Sequence, residues 1–227
     1  MEIEFFDILS KNGPVSWSPN TVKTRLCLNY LAIPHKTTYL SYPDIAKNHK
    51  SLGIPPNPKG LEFTCPAIAV KQSSKVFALQ ESLAIAKFLD ETNSSNSDRK
   101  IFPNPGALSL ALLVQRVVDR ILNSPVAKIA IPKVVDILDP SGREYFIRTR
   151  TEWFGMPIDD WAGDLEIAWK NLARDVDIFS KMLVEAANGP EGGPFFMGSV
   201  PSYADFVFVG YIVWLKEANE ADGESNG

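Results

Sequence analysis

The first 92 residues alternate between short apolar runs and stretches in which apolar positions recur at helical spacing. Short apolar or alternating runs predict four strands, at 3–9, 36–42, 67–70 and 76–79. Apolar positions near helical spacing predict helices at 21–32 and 82–92, and we expect a short, polar helix at 44–51. The predicted order of elements is therefore βαβαββα.

The pattern beyond residue 106 is helical almost throughout. Helices are predicted over 107–124, 143–154 and 160–188, with a last one starting at Tyr203. Ser202 and Asp205, three residues apart, form a capping box for that last helix. We therefore expect an α/β domain over 1–92, a polar linker over 93–106, an all-helical domain over 107–216, and an acidic, disordered tail over 217–227.

Composition and charge exclude several classes of function. A net charge of -4 and a pI near 5.3, with no basic cluster, argue against a nucleic-acid partner. No apolar run reaches the roughly 20 residues of a membrane span. The first residues are acidic where a signal peptide would be basic, so we expect a cytoplasmic protein. Two cysteines and two histidines predict neither a disulfide framework nor a metal site.

Two predicted helix starts carry candidate chemistry. Ser18, in "SWSPNT", precedes Pro19 and is typical of a helix N-cap with proline at the first helical position. Ser82 opens the third helix, where a hydroxyl, free N–H groups and the positive end of the helix dipole suit a carboxylate. Its neighbour Glu81 suits an ammonium group. Each residue alone is more often a plain cap or surface charge.

Four motifs lie in order along nearly the whole chain: "SPNTVKTR" (18–25), "TCPAI" (64–68), "LQESLAI" (79–85) and "FFMGSVPSYADF" (195–206). Together with the βαβαββα pattern, they make the chain resemble the cytosolic glutathione transferases. The stretch "WSPNTVKTRLCLNYLAIPHKTTYLSYPDI" resembles more narrowly the fungal, etherase-like class A (FuA) enzymes, which in turn resemble bacterial β-aryl etherases. The resemblance implies a thioredoxin-like first domain, a helical-bundle second domain and a homodimer.

The resemblance also implies a glutathione site. Ser18 would donate a hydrogen bond to the glutathione sulfur, with Ser16 and Asn20 as competing candidates. A cis peptide bond at Pro66 would turn the backbone of Cys65 toward the cysteinyl part of glutathione. Glu81 and Ser82 would then hold its γ-glutamyl end, and the thiols of Cys65 and Cys27 would serve packing only.

Other candidates stay open on the sequence alone. The cation that binds the glycyl carboxylate is one of Lys47, His49, Lys50 and Lys59. The aromatic residues Trp153, Phe154, Trp161 and Trp169 are more typical of a core or interface than of a ligand cage. Arg116 and Arg120, four residues apart on one helix, either border an interdomain cleft or are solvated surface charges.

The function implied is a serine-type glutathione transferase that conjugates or cleaves hydrophobic aromatic electrophiles or ethers. The alternative is a ligandin-type protein that keeps the glutathione site and mainly binds aromatic small molecules. A thioredoxin-like redox protein is disfavoured because the chain has no CxxC motif. The natural second substrate is left open.

Overall fold

The computed structural model describes residues 1–72, 75–93, 99–188 and 192–220. Its first domain contains β1 (Glu2–Ile8), α1 (Pro19–Tyr30), β2 (Lys36–Leu40), α2 (Tyr42–Ser51), β3 (Ala67–Gln72), β4 (Lys75–Gln80) and α3 (Ser82–Thr92). The predicted βαβαββα order is confirmed, and each element begins within two residues of its predicted start. The hairpin turn at 73–74 lies outside the described residues.

The four strands form one mixed sheet in the order β2-β1-β3-β4, with β1 parallel to β2 and antiparallel to β3. Neighbouring residues of β1 face opposite sides of this sheet. The Phe5 ring lies 4.8 Å from the guanidinium carbon of Arg25 on α1, and the Phe6 ring lies 6.2 Å from the His49 ring on α2. Helices therefore cover both faces of the sheet.

The second domain is helical. It contains α4 (Pro105–Val117), a π-helical turn (Val118–Leu122), α5 (Asn123–Ile137), α6 (Pro140–Phe154), α7 (Ile158–Ala162), α8 (Leu165–Ala187) and α9 (Tyr203–Glu220). A thioredoxin-like α/β domain followed by an all-helical domain is the fold class predicted from the sequence.

The prediction that a helix ends at residue 124 is wrong, because the chain continues directly into α5. Pro125 and Pro132 make this segment look like a helix break. Pro125 is the third residue of α5 and follows directly on the π-helical turn. Pro132 lies inside the helix, which tolerates the loss of one hydrogen bond because Ile129, Ala130 and Val134 around it are buried.

The single helix predicted over 160–188 is two helices. Gly163 separates them with φ 69°, a backbone conformation that favours glycine. Asp164 then caps α8, since its Oδ1 accepts hydrogen bonds from the N–H of Glu166 at 2.8 Å and of Ile167 at 3.2 Å. Gly163 therefore ends one helix and Asp164 begins the next, although the apolar pattern continues across both residues.

The predicted capping box forms, since Asp205 Oδ2 accepts hydrogen bonds from Ser202 N–H and Ser202 Oγ, each at 2.8 Å. The helix it caps, α9, continues to Glu220, past the boundary predicted at 216. The rest of the predicted tail, 221–227, and residues 94–98 of the predicted linker lie outside the described residues.

The two domains meet along a cleft. The N–H of Lys11 donates to the carbonyl of Ile137 at 2.9 Å, and Ser41 Oγ donates to Asp139 Oδ2 at 2.9 Å. These contacts hold the start of α6 against the loops that follow β1 and β2. Within the described part of the chain, no helix is long and apolar enough to cross a membrane.

Candidate functional site

Ser18 occupies the N-cap position of α1, but its hydroxyl makes no capping hydrogen bond. Its carbonyl accepts the first intrahelical bond, from the N–H of Val22 at 2.9 Å. Pro19 has no N–H, and helix geometry leaves the N–H groups of Asn20 and Thr21 without a carbonyl partner. The helix start therefore offers a hydroxyl and two amide donors in one place.

Ser18 lines a cavity of about 280 Å³ between the two domains. Asn20, Thr64 and Cys65 line the same cavity from the first domain, and Arg150 lines it from α6 of the second. The structure thus brings together two short segments of the first domain, at 18–20 and 64–65, that are far apart in the sequence.

Arg25, the arginine of the "SPNTVKTR" motif, anchors the loop before α1. Its Nη2 pairs with Asp7 Oδ2 at 3.2 Å, and its Nε donates to Ser16 Oγ at 2.7 Å. Ser16 Oγ in turn donates to Asp7 Oδ2. The side chain of Asp7 is fully buried, so the Arg25–Asp7 ion pair anchors the loop before α1 to the protein interior. Ser16 is therefore engaged in the scaffold, which leaves Ser18 and Asn20 at the cavity.

The Cys65–Pro66 peptide bond is cis, as predicted. The Cys65 side chain is buried, and burial raises the pKa of its thiol well above the ordinary value. Burial likewise raises the pKa of the Cys27 thiol, on the inner face of α1. Both groups are therefore thiols rather than thiolates near neutral pH, which disfavours either as a nucleophile.

His49, one of the four cations proposed for the glycyl carboxylate, belongs to the interior of the first domain. It is fully buried, and its Nε2–H donates to the carbonyl of Thr64 at 3.0 Å. Burial lowers the pKa of the ring, so His49 is neutral at physiological pH. Its role is to hold the segment that leads to Cys65.

Glu81 and Ser82 sit at the start of α3, although their roles in the cap differ from the sequence expectation. Glu81, not Ser82, occupies the N-cap position, and it has φ 79°. A positive φ in a residue with a Cβ costs about 1–3 kcal/mol and is concentrated at functional sites. Glu81 Oε1 accepts from Asn57 Nδ2 at 3.0 Å, which orients the carboxylate.

Two further cavities join the first through shared residues. One, of about 680 Å³, is lined by Thr64, Glu81, Lys59 and Trp153. The other, of about 330 Å³, is lined by Asn20, Lys23, Glu81, Ser82, Gln115, Asp119 and Tyr203, among others. Glu81 therefore lies between them, and the three cavities form one groove along the domain boundary.

The remaining cation candidates separate by position. Lys59 lines the groove, whereas Lys50 lies 5.3 Å above the Phe63 ring and Lys47 is exposed on α2. Arg116 and Arg120 are also exposed, and neither lines the groove. The interpretation that these two arginines border the interdomain cleft is therefore wrong, and their exposure fits the alternative of solvated surface charges.

Sequence reasoning missed several groups that line the groove, namely Lys23, Tyr42, Tyr145 and Arg150. It also placed Trp153 with the core aromatics, although this side chain is half-exposed and lines the groove. Phe154 and Trp161 do follow the core expectation, since their rings stack at 4.0 Å. A sequence signal is available only for Tyr42, which precedes Pro43 at a helix start.

Among the residues with described positions, no group of three or more His, Cys, Asp or Glu side chains is arranged to hold a metal ion. The polar groups that line the groove are hydroxyls, amides, cations and the exposed carboxylates of Glu81 and Asp119. Such a set suits a zwitterionic, peptide-like ligand with a negatively charged sulfur.

Comparisons with known proteins agree with this geometry. Residues 17–92 match the family model of the glutathione S-transferase N-terminal domain, and residues 109–226 match that of the C-terminal domain. The glutathione S-transferase-like protein ustS of Aspergillus flavus is 37% identical over 93% of this chain and 79% of its own length.

Two crystal structures of fungal proteins are similar to this fold. A glutathione S-transferase of Ceriporiopsis subvermispora in complex with glutathione has a TM-score of 0.81 and 33% identity, over 95% of this chain and 85% of that one. Glutathione transferase GSTFuA3 of Phanerochaete chrysosporium has a TM-score of 0.82 and 28% identity, over 96% and 86%. With both domains matched in order, the chain belongs to the glutathione S-transferase family.

Proposed function

We propose that this protein is a serine-type glutathione transferase in which the Ser18 hydroxyl donates a hydrogen bond to the glutathione sulfur. One observation carries this proposal: Ser18 lines the cavity at the start of α1, and its hydroxyl makes no capping hydrogen bond. A hydroxyl that the helix does not hold in a capping hydrogen bond can turn its O–H toward a ligand in the cavity.

The chemistry follows from the pKa of the thiol. A free thiol with a pKa of about 8.5 is only a few per cent ionised at neutral pH, and a helix N-terminus lowers that pKa. The Ser18 hydroxyl and the N–H groups of Asn20 and Thr21 favour negative charge on the sulfur. The resulting thiolate is the nucleophile.

The rest of glutathione would extend along the groove. We place its γ-glutamyl ammonium at Glu81 and its γ-glutamyl carboxylate at Ser82 on the N-terminus of α3. The cysteinyl backbone would pair with the main chain of Cys65, beside Pro66. Lys59 is the cation that we assign to the glycyl carboxylate, since it lines the groove where Lys47 and Lys50 do not.

We propose hydrophobic aromatic electrophiles or ethers as the second substrates, and a homodimer as the assembled form. The cavity wall around Ser18 supports the first, since Tyr42, Phe63 and Tyr145 contribute aromatic rings to it. The same wall would also suit a ligandin-type binding protein. Turnover of an aromatic electrophile separates these two functions.

The test is Ser18→Ala, with Asn20→Ala as the competing donor and Ser51→Ala, on the exposed end of α2, as the control. We expect Ser18→Ala to raise the pKa of enzyme-bound glutathione in a thiolate absorbance titration and to slow conjugation by about 100-fold. Glutathione affinity should change little, because the other contacts remain.

Two outcomes would overturn the assignment of Ser18 as the donor to the glutathione sulfur. An unchanged titration and rate in Ser18→Ala would make Ser18 a helix start and nothing more. A shift in Asn20→Ala alone would transfer the role to the Asn20 amide. Tight glutathione binding with no conjugation of any aromatic electrophile by the unmodified protein would favour the ligandin function.

A further inference from the structure

Arg150, on α6, presents a guanidinium to the cavity that Ser18 lines. Aromatic rings hold it on several sides, with ring centroids 4.2 Å from its Cζ for Phe146, 4.2 Å for Trp153 and 5.6 Å for Tyr42. This aromatic clamp fixes the position of the charged group at the wall of the cavity.

Among the described residues, no carboxylate lies within 4.0 Å of Arg150. Its one hydrogen bond in the described structure runs from Nη1 to Thr149 Oγ1 at 2.9 Å, although a guanidinium carries five N–H donors. Arg25, which also packs on aromatic rings, pairs with Asp7 at 3.2 Å. Arg150 therefore differs from a structural arginine of the same protein.

A half-buried cation without an anion is unfavourable. Burial lowers the pKa of Arg150, yet an arginine stays protonated at physiological pH. Contacts with aromatic faces offset part of the cost of desolvation, but they leave the N–H donors unpaired. A bound carboxylate would accept two of these N–H groups in a planar, bidentate pair.

We propose that Arg150 binds a carboxylate on the aromatic electrophile, so that the preferred second substrates are aromatic acids. This inference rests on the proposed function, because it requires the thiolate to form at Ser18 in the same cavity. Tyr42 and Tyr145, whose rings stack at 6.0 Å and 9°, offer a flat apolar wall for the ring of such an acid.

Glutathione also carries a glycyl carboxylate, and the chain position of Arg150 favours the electrophile over it. The residues assigned to glutathione, including Lys59, all belong to the first domain. Arg150 belongs to the second domain, on the opposite wall of the cleft. An anion at Arg150 and the thiolate at Ser18 would therefore approach the ring from different sides.

The experiment compares two chloronitroaromatic probes, 4-chloro-3,5-dinitrobenzoate and the neutral 1-chloro-2,4-dinitrobenzene. In both, the thiolate sulfur forms a bond to the ring carbon that carries chlorine, the ring and its nitro groups accept the electron pair, and chloride then leaves with the electrons of the C–Cl bond. The kcat/KM for each probe is measured at saturating glutathione for the wild type, Arg150→Gln, Arg150→Lys and the control Arg143→Gln, an exposed position on the same helix.

We expect Arg150→Gln to lower kcat/KM for the benzoate by about 10- to 100-fold, as for a lost hydrogen bond to a charged group, and for the neutral probe by less than about threefold. Arg150→Lys should recover part of the loss, and Arg143→Gln should lose nothing. Equal losses for both probes, with unchanged glutathione affinity by calorimetry, would show a structural role and overturn the inference. Weaker glutathione binding in Arg150→Gln would identify the glycyl carboxylate as its partner instead.

If the wild type conjugates neither probe, the proposed function fails, and the inference is still tested by binding. Calorimetry with unreactive 3,5-dinitrobenzoate and 1,3-dinitrobenzene then replaces kinetics. Binding of the acid that is lost in Arg150→Gln, with the neutral compound unaffected, supports the carboxylate site. Equal binding of the acid by wild type and Arg150→Gln overturns it.

Discussion

Lys23 is a buried amine on α1, only 4% exposed, at the inner end of the groove. Its Nζ donates to Gln115 Oε1 at 3.1 Å, so it links the two domains. Burial lowers the pKa of Lys23 from 10.5 to about 8, although the nearby carboxylates of Asp119 and Glu81 act in the opposite direction. The folded protein therefore releases this proton at lower pH than the unfolded chain does.

The sign of the effect on stability follows from proton binding. Below pH 8 the amine is charged in both states, and folding must desolvate it. Since one pKa unit corresponds to 1.36 kcal/mol, a change from 10.5 to about 8 destabilises the fold by about 3 kcal/mol. Between pH 8 and 10.5 the unfolded chain binds the extra proton, so the contribution of Lys23 to stability rises with pH across that window.

The perturbation that tests this is Lys23→Met, which keeps an unbranched side chain without the amine. At pH 7 we expect the variant to have a larger free energy of unfolding than the wild type, by up to about 3 kcal/mol. The difference between the two should shrink steadily as the pH is raised from 8 to 10. Urea denaturation at each pH measures it, with Lys87→Met, an exposed position on α3, as the control.

A difference that stays constant with pH would refute the reasoning, because it would show that Lys23 has an ordinary pKa in the folded state. A difference in free energy of unfolding that widens with pH would show that folding raises the pKa of Lys23 instead of lowering it. The control variant should show a small difference that does not change with pH.

Two further predictions concern Glu81 and the cysteines. Glu81→Ala and Glu81→Gly should both weaken glutathione binding by about 1.5–3 kcal/mol in calorimetry. Glu81→Gly should be the more stable of the two variants by about 1 kcal/mol, because glycine tolerates a positive φ. Equal free energies of unfolding for the two variants would contradict the backbone argument. The Cys27→Ala/Cys65→Ala double variant should keep conjugation within about tenfold while losing about 1–2 kcal/mol of stability per site. Complete loss of turnover in a folded double variant would favour a thiol mechanism.

The elements of the first domain were predictable because their signals are local. The helix at 82–92 has its apolar stripe and its start within eleven residues, and α1 has a serine and proline at its beginning. Hydrophobic periodicity and cap residues act over such distances. The errors arose where two local signals compete, as at Pro132 in α5 and at Gly163 before α8.

The site divides in the same way. Ser18, Cys65, Glu81 and Ser82 lie in short motifs, so their candidacy could be inferred from residue order. Nothing local marks Arg150 in "YFIRTRTEW", because its importance depends on α6 packing against α2 across the cleft. Burial of an unpaired charge is a property of the tertiary structure, which a sequence pattern does not carry.

The start of α1 divides structural and chemical tasks among neighbouring groups. The Ser16 hydroxyl donates a hydrogen bond to Asp7 and accepts one from Arg25. Thr21 Oγ1 donates to the Ser18 carbonyl at 3.2 Å. Replacing an N-cap serine by alanine ordinarily costs about 0.5–2 kcal/mol, because the hydroxyl accepts a backbone hydrogen bond. Ser18 makes no such bond, so its replacement removes a donor from the cavity without removing a cap. A change in the pKa of bound glutathione in Ser18→Ala therefore reports on the thiolate itself and not on a weakened helix.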